Sequence, residues 1–165
     1  MAHYEELRDK AGQHLKRAEQ MLRFTYPMIK EPKALIGVIH QLFLAGSNAI
    51  HAFLSFELTY KKIPPFENTF ESKMRIMKQK IIERYSLDSD ILKTMRTLRE
   101  IIIAHQESPV EFSRGEKFII CSDTYSIKDI SEPYVQNLFS KTKVFIDELI
   151  SVMNTQIEAQ KKKRF

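Results

Sequence analysis

The sequence predicts an all-α protein, a bundle of about five helices with a small β-hairpin or extended insertion before the last helix. Apolar residues recur every three or four positions along most of the chain. Only four glycines and six prolines interrupt 165 residues, which favours long helices over many short strands. We expect one domain over residues 1–160, with the insertion at about 109–128, and a basic tail over 161–165.

The first helix is expected from about Ala2 to Tyr26, because one apolar stripe runs along that segment. Pro27 and Pro32 follow, and each removes a backbone donor and restricts the residue before it. We therefore expect the helix to end before Pro27. The stripe consists of Tyr4, Leu7, Ala11, Leu15, Ala18, Leu22 and Thr25.

The second helix is expected at residues 34–56, ALIGVIHQLFLAGSNAIHAFLSF, which contain no Asp, Glu, Lys or Arg over 23 residues. This segment is long enough to cross a bilayer. Burial of its polar side chains in hydrocarbon would be costly, however, so a buried central helix is favoured over a membrane span. The polar residues are His40, Gln41, Ser47, Asn48, His51 and Ser55.

Two further helices are expected before the insertion. The third runs from about Thr69 to Tyr85, with Met74, Met77, Ile81 and Tyr85 facing inward. The fourth begins after a cap at Asp88 or Ser89. Its inward stripe consists of Ile91, Met95, Leu98, Ile102 and His105.

After Pro109 the period changes, because VEFSRGEKFIICSDTYSI is rich in β-favouring residues around the turn residue Gly115. A helical pattern resumes near Ser131 and predicts the last helix, with Pro133 tolerated in its first turn. The inward residues of this helix are Val135, Leu138, Phe139, Phe145, Leu149, Met153 and Ile157.

Charge is concentrated in the tail. The formal net charge is +5, and without the four basic tail residues 22 basic residues face 21 acidic ones. The tail is either a solvated helix end or an arm that attracts phosphate. The same two interpretations apply to a ridge on the fourth helix formed by Lys93, Arg96 and Arg99. The tail residues are Lys161, Lys162, Lys163 and Arg164.

Several classes of protein are disfavoured. The lone Cys121 allows no internal disulfide and no C-x-x-C site. The sequence has neither a G-x-x-x-x-G-K-[ST] nor a G-x-G-x-x-G phosphate-binding loop. The charged start, MAHYEELRDK, differs from a signal peptide, so we expect a cytoplasmic protein that is not in a membrane.

Three sequence features follow one another along the chain in the order found in a known superfamily. The run His14–Leu22 is H-L-K-R-A-E-Q-M-L, the second helix is long and apolar, and the fourth carries Arg99 to His105 as R-E-I-I-I-A-H. Over most of its length the chain resembles the HEPN superfamily, whose signature is R-x4–6-H. Its members are small helical proteins found with nucleotidyltransferase partners and as RNA-cleaving toxins.

The resemblance implies a metal-independent endoribonuclease without a cofactor, in which an RNA 2′-hydroxyl attacks the neighbouring phosphate. His105 would move protons, and Arg99 would hold the phosphate and stabilise charge on its oxygens. Glu100 would either orient His105 or repel RNA. Lys93, Arg96 and the four basic tail residues are candidate phosphate-binding groups.

The resemblance also implies a homodimer, because the active sites of this superfamily lie where two protomers meet. It further implies a nucleotidyltransferase-type antitoxin as a protein partner. Arg99 and His105 lie six positions apart, which leaves about 120° between them around a regular helix. They could still share a groove if the helix ended near Ala104, or if two copies packed along this surface.

Two functions follow. The first is an RNA-targeting HEPN-like protein, either a toxin-like or regulatory nuclease or an inactive relative, since Glu100 and the five-residue spacing depart from the usual motif. The alternative is a non-enzymatic helical module that binds a protein partner or nucleic acid.

Overall fold

The structure, a computed structural model, describes residues 2–124 and 126–163. The chain begins with helix α1 (His3–Gln20), which continues through a π-helical turn (Met21–Thr25) into helix α2 (Tyr26–Ile29). Helix α3 (Ala34–Thr59) follows after a short loop and packs along α1. The stripe expected on α1 is buried through Leu22, as its spacing predicts.

The sequence predicts that the first helix ends before Pro27, and this is wrong, because the helical segment continues past Pro27 to Ile29. Within the π turn, the backbone N–H of Tyr26 bonds to the carbonyl oxygen of Met21, five residues earlier. Pro27 then lies in the first turn of α2, immediately after the π turn. The wider turn also shifts the inward face by one residue, so Tyr26 is buried and Thr25 is exposed.

Helix α4 (Phe70–Ile76) is capped by the side chain of Thr69 and runs into a second π-helical turn (Met77–Ile81). Helix α5 (Asp90–Glu107) follows, and helix α6 (Glu132–Lys163) ends the described chain. The five expected helices are therefore present, if each π turn is counted with the helix it extends. The inward residues expected on α6 are all buried.

Residues between α5 and α6 form an antiparallel sheet in the order β1-β2-β3. The strands are β1 (Val110–Arg114), β2 (Lys117–Cys121) and β3 (Ile127–Ile130). Gly115, with φ of 62°, supplies the left-handed backbone of the β1–β2 turn. The sequence predicts only a hairpin or extended segment here, so the third strand is an addition to the expected fold.

The sheet has one buried and one open face. Phe118, Ile120 and Ile130 are buried on the inner face. On the other face Val110, Phe112 and Ile127 are exposed, and Ile119 is buried. This sheet covers the C-terminal end of α5.

Helix α3 lies at the centre, in contact with α1, α5 and α6. It is apolar enough in length and composition to span a membrane, with a mean hydropathy of 1.2, but half of that stretch is buried inside the protein. The consecutive residues Ala52, Phe53 and Leu54 are all buried, which is typical of a helix surrounded by other helices. This arrangement agrees with the predicted central core helix.

Candidate functional site

Helix α5 carries the Arg99–His105 motif. A hydrogen bond from the backbone N–H of Asp90 to the Oδ1 of Asp88, 2.9 Å long, stabilises the start of the helix. The helix continues to Glu107, so it does not end near Ala104. The separation of about 120° between the two side chains of the motif is therefore kept.

His105 lies where α5 meets the sheet. Its Nδ1 is 2.7 Å from the Oε1 of Glu111 on β1, and its ring stands edge-on to Phe118 on β2, with 6.3 Å between centroids. The His105 side chain keeps 32% of its surface exposed. Within the described residues, Nε2 makes no hydrogen bond. A carboxylate that holds Nδ1 fixes the orientation of an imidazole and leaves Nε2 able to exchange a proton.

Sequence reasoning did not identify Glu111. The contact forms because the chain reverses after α5, and the Ser108 hydroxyl lies 2.7 and 2.8 Å from the carbonyl oxygens of Val110 and Cys121. Period-two alternation from Val110 places Glu111 on the inner face of β1, towards α5. The alternation in the sequence could have placed Glu111 on the inner face of a strand. The sequence does not show that the chain turns back after α5 and brings this strand beside His105.

Arg99 faces α4. Its guanidinium carbon lies 4.8 Å from the ring centroid of Phe70, which packs on Phe43 at 6.0 Å. The guanidinium of Arg96 lies 5.7 Å from the same ring and 3.1 Å from a carboxylate oxygen of Glu71. In a single chain, therefore, Arg99 is held against α4 while His105 is held against the sheet.

Glu100 is exposed on another side of α5. Burial raises the pKa of Tyr134, and the negative charge of Glu100 raises it further, so this carboxylate lies close enough to α6 to affect the phenol. Of the two carboxylates, it is Glu111 that is hydrogen-bonded to His105, and no such bond joins Glu100 to His105 within the described chain. The orienting group for the imidazole is Glu111.

Lys93 and Arg96 line an open groove between α4 and α5, with a volume of about 660 Å³. We call it the α4–α5 groove. Neither Arg99 nor His105 lines it. Its charged side chains are Glu71, Arg75, Lys78, Lys93, Arg96 and Glu100.

The basic tail is partly helical. Lys161, Lys162 and Lys163 form the last turn of α6, where cations favour the helix dipole, and all three are exposed. Lys161 lies 3.6 Å from Glu158. Arg164 falls outside the described residues. No contact within the described chain joins these lysines to Arg99 or His105.

Across residues 2–124 and 126–163, no group of three His, Cys, Asp or Glu side chains is placed to hold a metal ion. His51 is half-buried between His3 and Phe66, with ring centroids 5.9 and 6.3 Å away. Burial lowers the pKa of His51, and the nearby charges of Lys73 and His3 lower it further. This cluster is separate from the Arg99–His105 motif.

No family model, curated protein or solved structure matches the chain. The comparisons neither support nor exclude the resemblance to the HEPN superfamily. That resemblance rests on the motif in α5 and on the order of the helices.

Proposed function

We propose that this chain is an HEPN-like RNA-targeting protein that cleaves RNA without a metal ion and acts in the cytoplasm. The observation that supports this most is the 2.7 Å hydrogen bond between His105 and Glu111, in which the imidazole remains a third exposed. An oriented, solvent-reachable imidazole is the group that proton transfer near neutral pH requires.

In the proposed reaction, Nε2 of His105 takes the proton of the RNA 2′-hydroxyl while that oxygen attacks the adjacent phosphorus. The bond from phosphorus to the 5′ oxygen breaks, and the departing oxygen takes a proton from water. The imidazolium of His105 then gives its proton to the hydroxide that remains, which restores the neutral imidazole. The products are a 2′,3′-cyclic phosphate and a 5′-hydroxyl. Glu111 stabilises the imidazolium that forms, and Arg99 stabilises the charge that develops on the phosphate oxygens.

The placement of Arg99 favours a site shared between two copies. Arg99 contacts Phe70 on α4, whereas His105 contacts the sheet. A homodimer in which Arg99 of one protomer meets His105 of the other would bring the two groups together, and a twofold axis would create two such sites. We therefore propose that the nuclease is a homodimer.

A second function is a non-enzymatic module that binds a nucleotidyltransferase-type partner or nucleic acid. The observation that favours it is that the α5 arginines already have partners. Arg99 lies over Phe70, and Arg96 is paired with Glu71. Cations held in this way can be structural, and binding would then need no proton transfer.

The two functions are separated by incubation of single-stranded RNA with the protein in EDTA. For a nuclease we expect cleavage by the wild type, and a loss of about 10²–10⁴-fold with His105→Ala. Arg99→Ala should also abolish most of the activity. Cleavage with cyclic phosphate ends that resists EDTA would support the enzyme, and intact RNA that remains bound would support the module.

Matched variants control for damage to the fold. His14 is also half-buried and hydrogen-bonded, 2.8 Å from Gln41, and Arg23 also lies over an aromatic ring, 5.9 Å from Phe139. His14→Ala and Arg23→Ala should leave cleavage unchanged. Glu111 is a positioning residue, so Glu111→Gln should reduce kcat more than it changes KM and should shift the pH profile of cleavage.

A further inference from the structure

The α4–α5 groove has an excess of positive charge supplied by both of its walls. Arg75 and Lys78 lie on the α4 side, and Lys93 and Arg96 lie on α5. Arg96 is paired with Glu71 at 3.1 Å, and Glu100 is the second carboxylate of the lining, so four cations face two anions. Within the described chain no ion pair involves the other three cations, and all three side chains are exposed. These three are therefore available to a ligand.

The shape of the groove suits an extended anion. It is open and about 660 Å³ in volume, and Met74 and Leu92 provide an apolar floor between the charged walls. Arg75 and Lys78 are three residues apart, a spacing that places side chains about 5–6 Å apart along a helix. Lys93 lies on the opposite wall. Cations distributed along and across a groove can follow a chain of phosphates better than they can enclose one compact anion.

We infer that the α4–α5 groove binds the phosphate backbone of single-stranded RNA. The choice of RNA as the polyanion rests on the proposed function, whereas the positive charge of the groove does not. Because the groove contains neither Arg99 nor His105, it is a binding track separate from the cleavage site. None of the described residues that line it is aromatic, so the contacts are with phosphates rather than bases, and binding depends little on sequence.

Fluorescence anisotropy with a labelled, fully 2′-O-methylated single-stranded RNA tests the inference. This probe keeps the phosphates but has no free 2′-hydroxyl, so the wild-type protein can bind it without cleaving it. Replacement of Arg75, Lys78 and Lys93 by Gln should weaken binding at least tenfold at moderate salt. Because each neutralised phosphate contributes about 0.7 to the salt slope of single-strand binding, the slope should fall by about 2.

The matched control replaces Lys10, Lys16 and Arg17 of α1 by Gln, which removes the same charge from another exposed surface. This control should retain most of the affinity and the full salt slope. Equal losses in the two triple variants would mean that net charge alone attracts RNA, and the inference would be wrong. Absence of wild-type binding would also overturn it, as expected if the groove serves an acidic protein partner.

Lys78→Gln alone provides a milder variant if the triple variant unfolds, and it should lower the salt slope by about 0.7.

The same proteins distinguish this inference from the proposed nuclease. If unmodified RNA stays intact while the groove variants lose binding, the nuclease fails and the groove remains. If RNA is cleaved but the groove variants bind normally, the groove fails and the nuclease remains.

Discussion

Glu57 is the charged residue that is buried in the described part of the chain. It lies on α3 with no exposed surface, and its carboxylate is 3.5 Å from the guanidinium of Arg84. Tyr85 lies beside this pair and packs on Phe53. Burial raises the pKa of Tyr85 to about 12, and the Glu57 carboxylate contributes to the rise. The phenol thus stays neutral next to a buried carboxylate whose cation is Arg84.

Arg84→Met should destabilise the protein, because it leaves the buried carboxylate without its cation. We expect a loss of about 2–3 kcal/mol in the free energy of unfolding, below the range for fully buried pairs because solvent reaches Arg84. Lys143→Met is the control. It breaks a shorter pair, 2.8 Å from Asp147, but both side chains are exposed. That change should cost about 0–1 kcal/mol.

Urea denaturation of both variants measures the difference. If Arg84→Met were no more destabilising than Lys143→Met, the guanidinium would not be compensating the charge of Glu57. If the distance between the charges decided the strength of an ion pair, Lys143→Met would be the more destabilising change. The comparison therefore tests whether burial decides it instead.

At the residue scale, the sequence could identify side chains by type and spacing but not by their neighbours. Arg99 and His105 follow from the R-x5-H spacing, and the angle of about 120° between them follows from helix geometry. The partners Glu111 and Phe70 could not be identified, since each depends on how another element packs against α5. Glu100 was the acidic candidate because it adjoins the motif in sequence, which does not place it beside His105.

At the element scale, α3 packs closely against α5 and α6 at Gly46. A Cβ on Gly46 would overlap the side chain of Met95 and lie 3.0 Å from a ring carbon of Phe145. Both neighbours are buried, so there is little room for either to move. Glycine at this position lets the central helix approach two others at once.

Gly46→Leu should therefore destabilise the protein by about 1–3 kcal/mol, because the larger side chain forces apart packed helices. Gly12→Leu is the matched control, since a Cβ at Gly12 meets nothing within 4 Å. There the substitution should stabilise by about 0.5–1 kcal/mol through helix propensity. Thermal unfolding followed by circular dichroism compares the two, and equal effects would mean that the helices do not meet at Gly46.

The helices were predictable where an apolar stripe agrees with burial, as in α6 from Val135 to Ile157. In α5 the stripe is buried at Ile91, Met95 and Leu98, whereas Ile102 and His105 are only half-buried. The π turn before Pro27 could not be predicted, because it depends on a local change in hydrogen bonding that the apolar pattern does not encode. Strand β3 was also missed. Its residues, IKDI, are few and partly charged, and they are ordered by pairing with β2.

At the scale of the whole molecule, basic and acidic residues are distributed unevenly. Without the C-terminal cluster the chain has 22 basic and 21 acidic residues, so its surface is nearly neutral on average. Against that background the α4–α5 groove is a local positive region, because four cations face two carboxylates and three of the cations have no ion pair within the described residues. Local rather than net charge would then determine where a polyanion binds.

The proposed shared site makes a prediction that a site within one chain does not. Arg99→Ala and His105→Ala are each expected to be inactive alone. If each site takes Arg99 from one protomer and His105 from the other, a mixed dimer has one intact site and one doubly altered site. Random reassembly of equal amounts makes half of the dimers mixed, so it should restore about one quarter of wild-type cleavage.

The two variants must be unfolded and refolded together so that their subunits exchange, with each variant refolded alone as the control. A refolded mixture that stays inactive, or a wild-type protein that sediments as a monomer at tens of micromolar, would show that no site is formed between two copies.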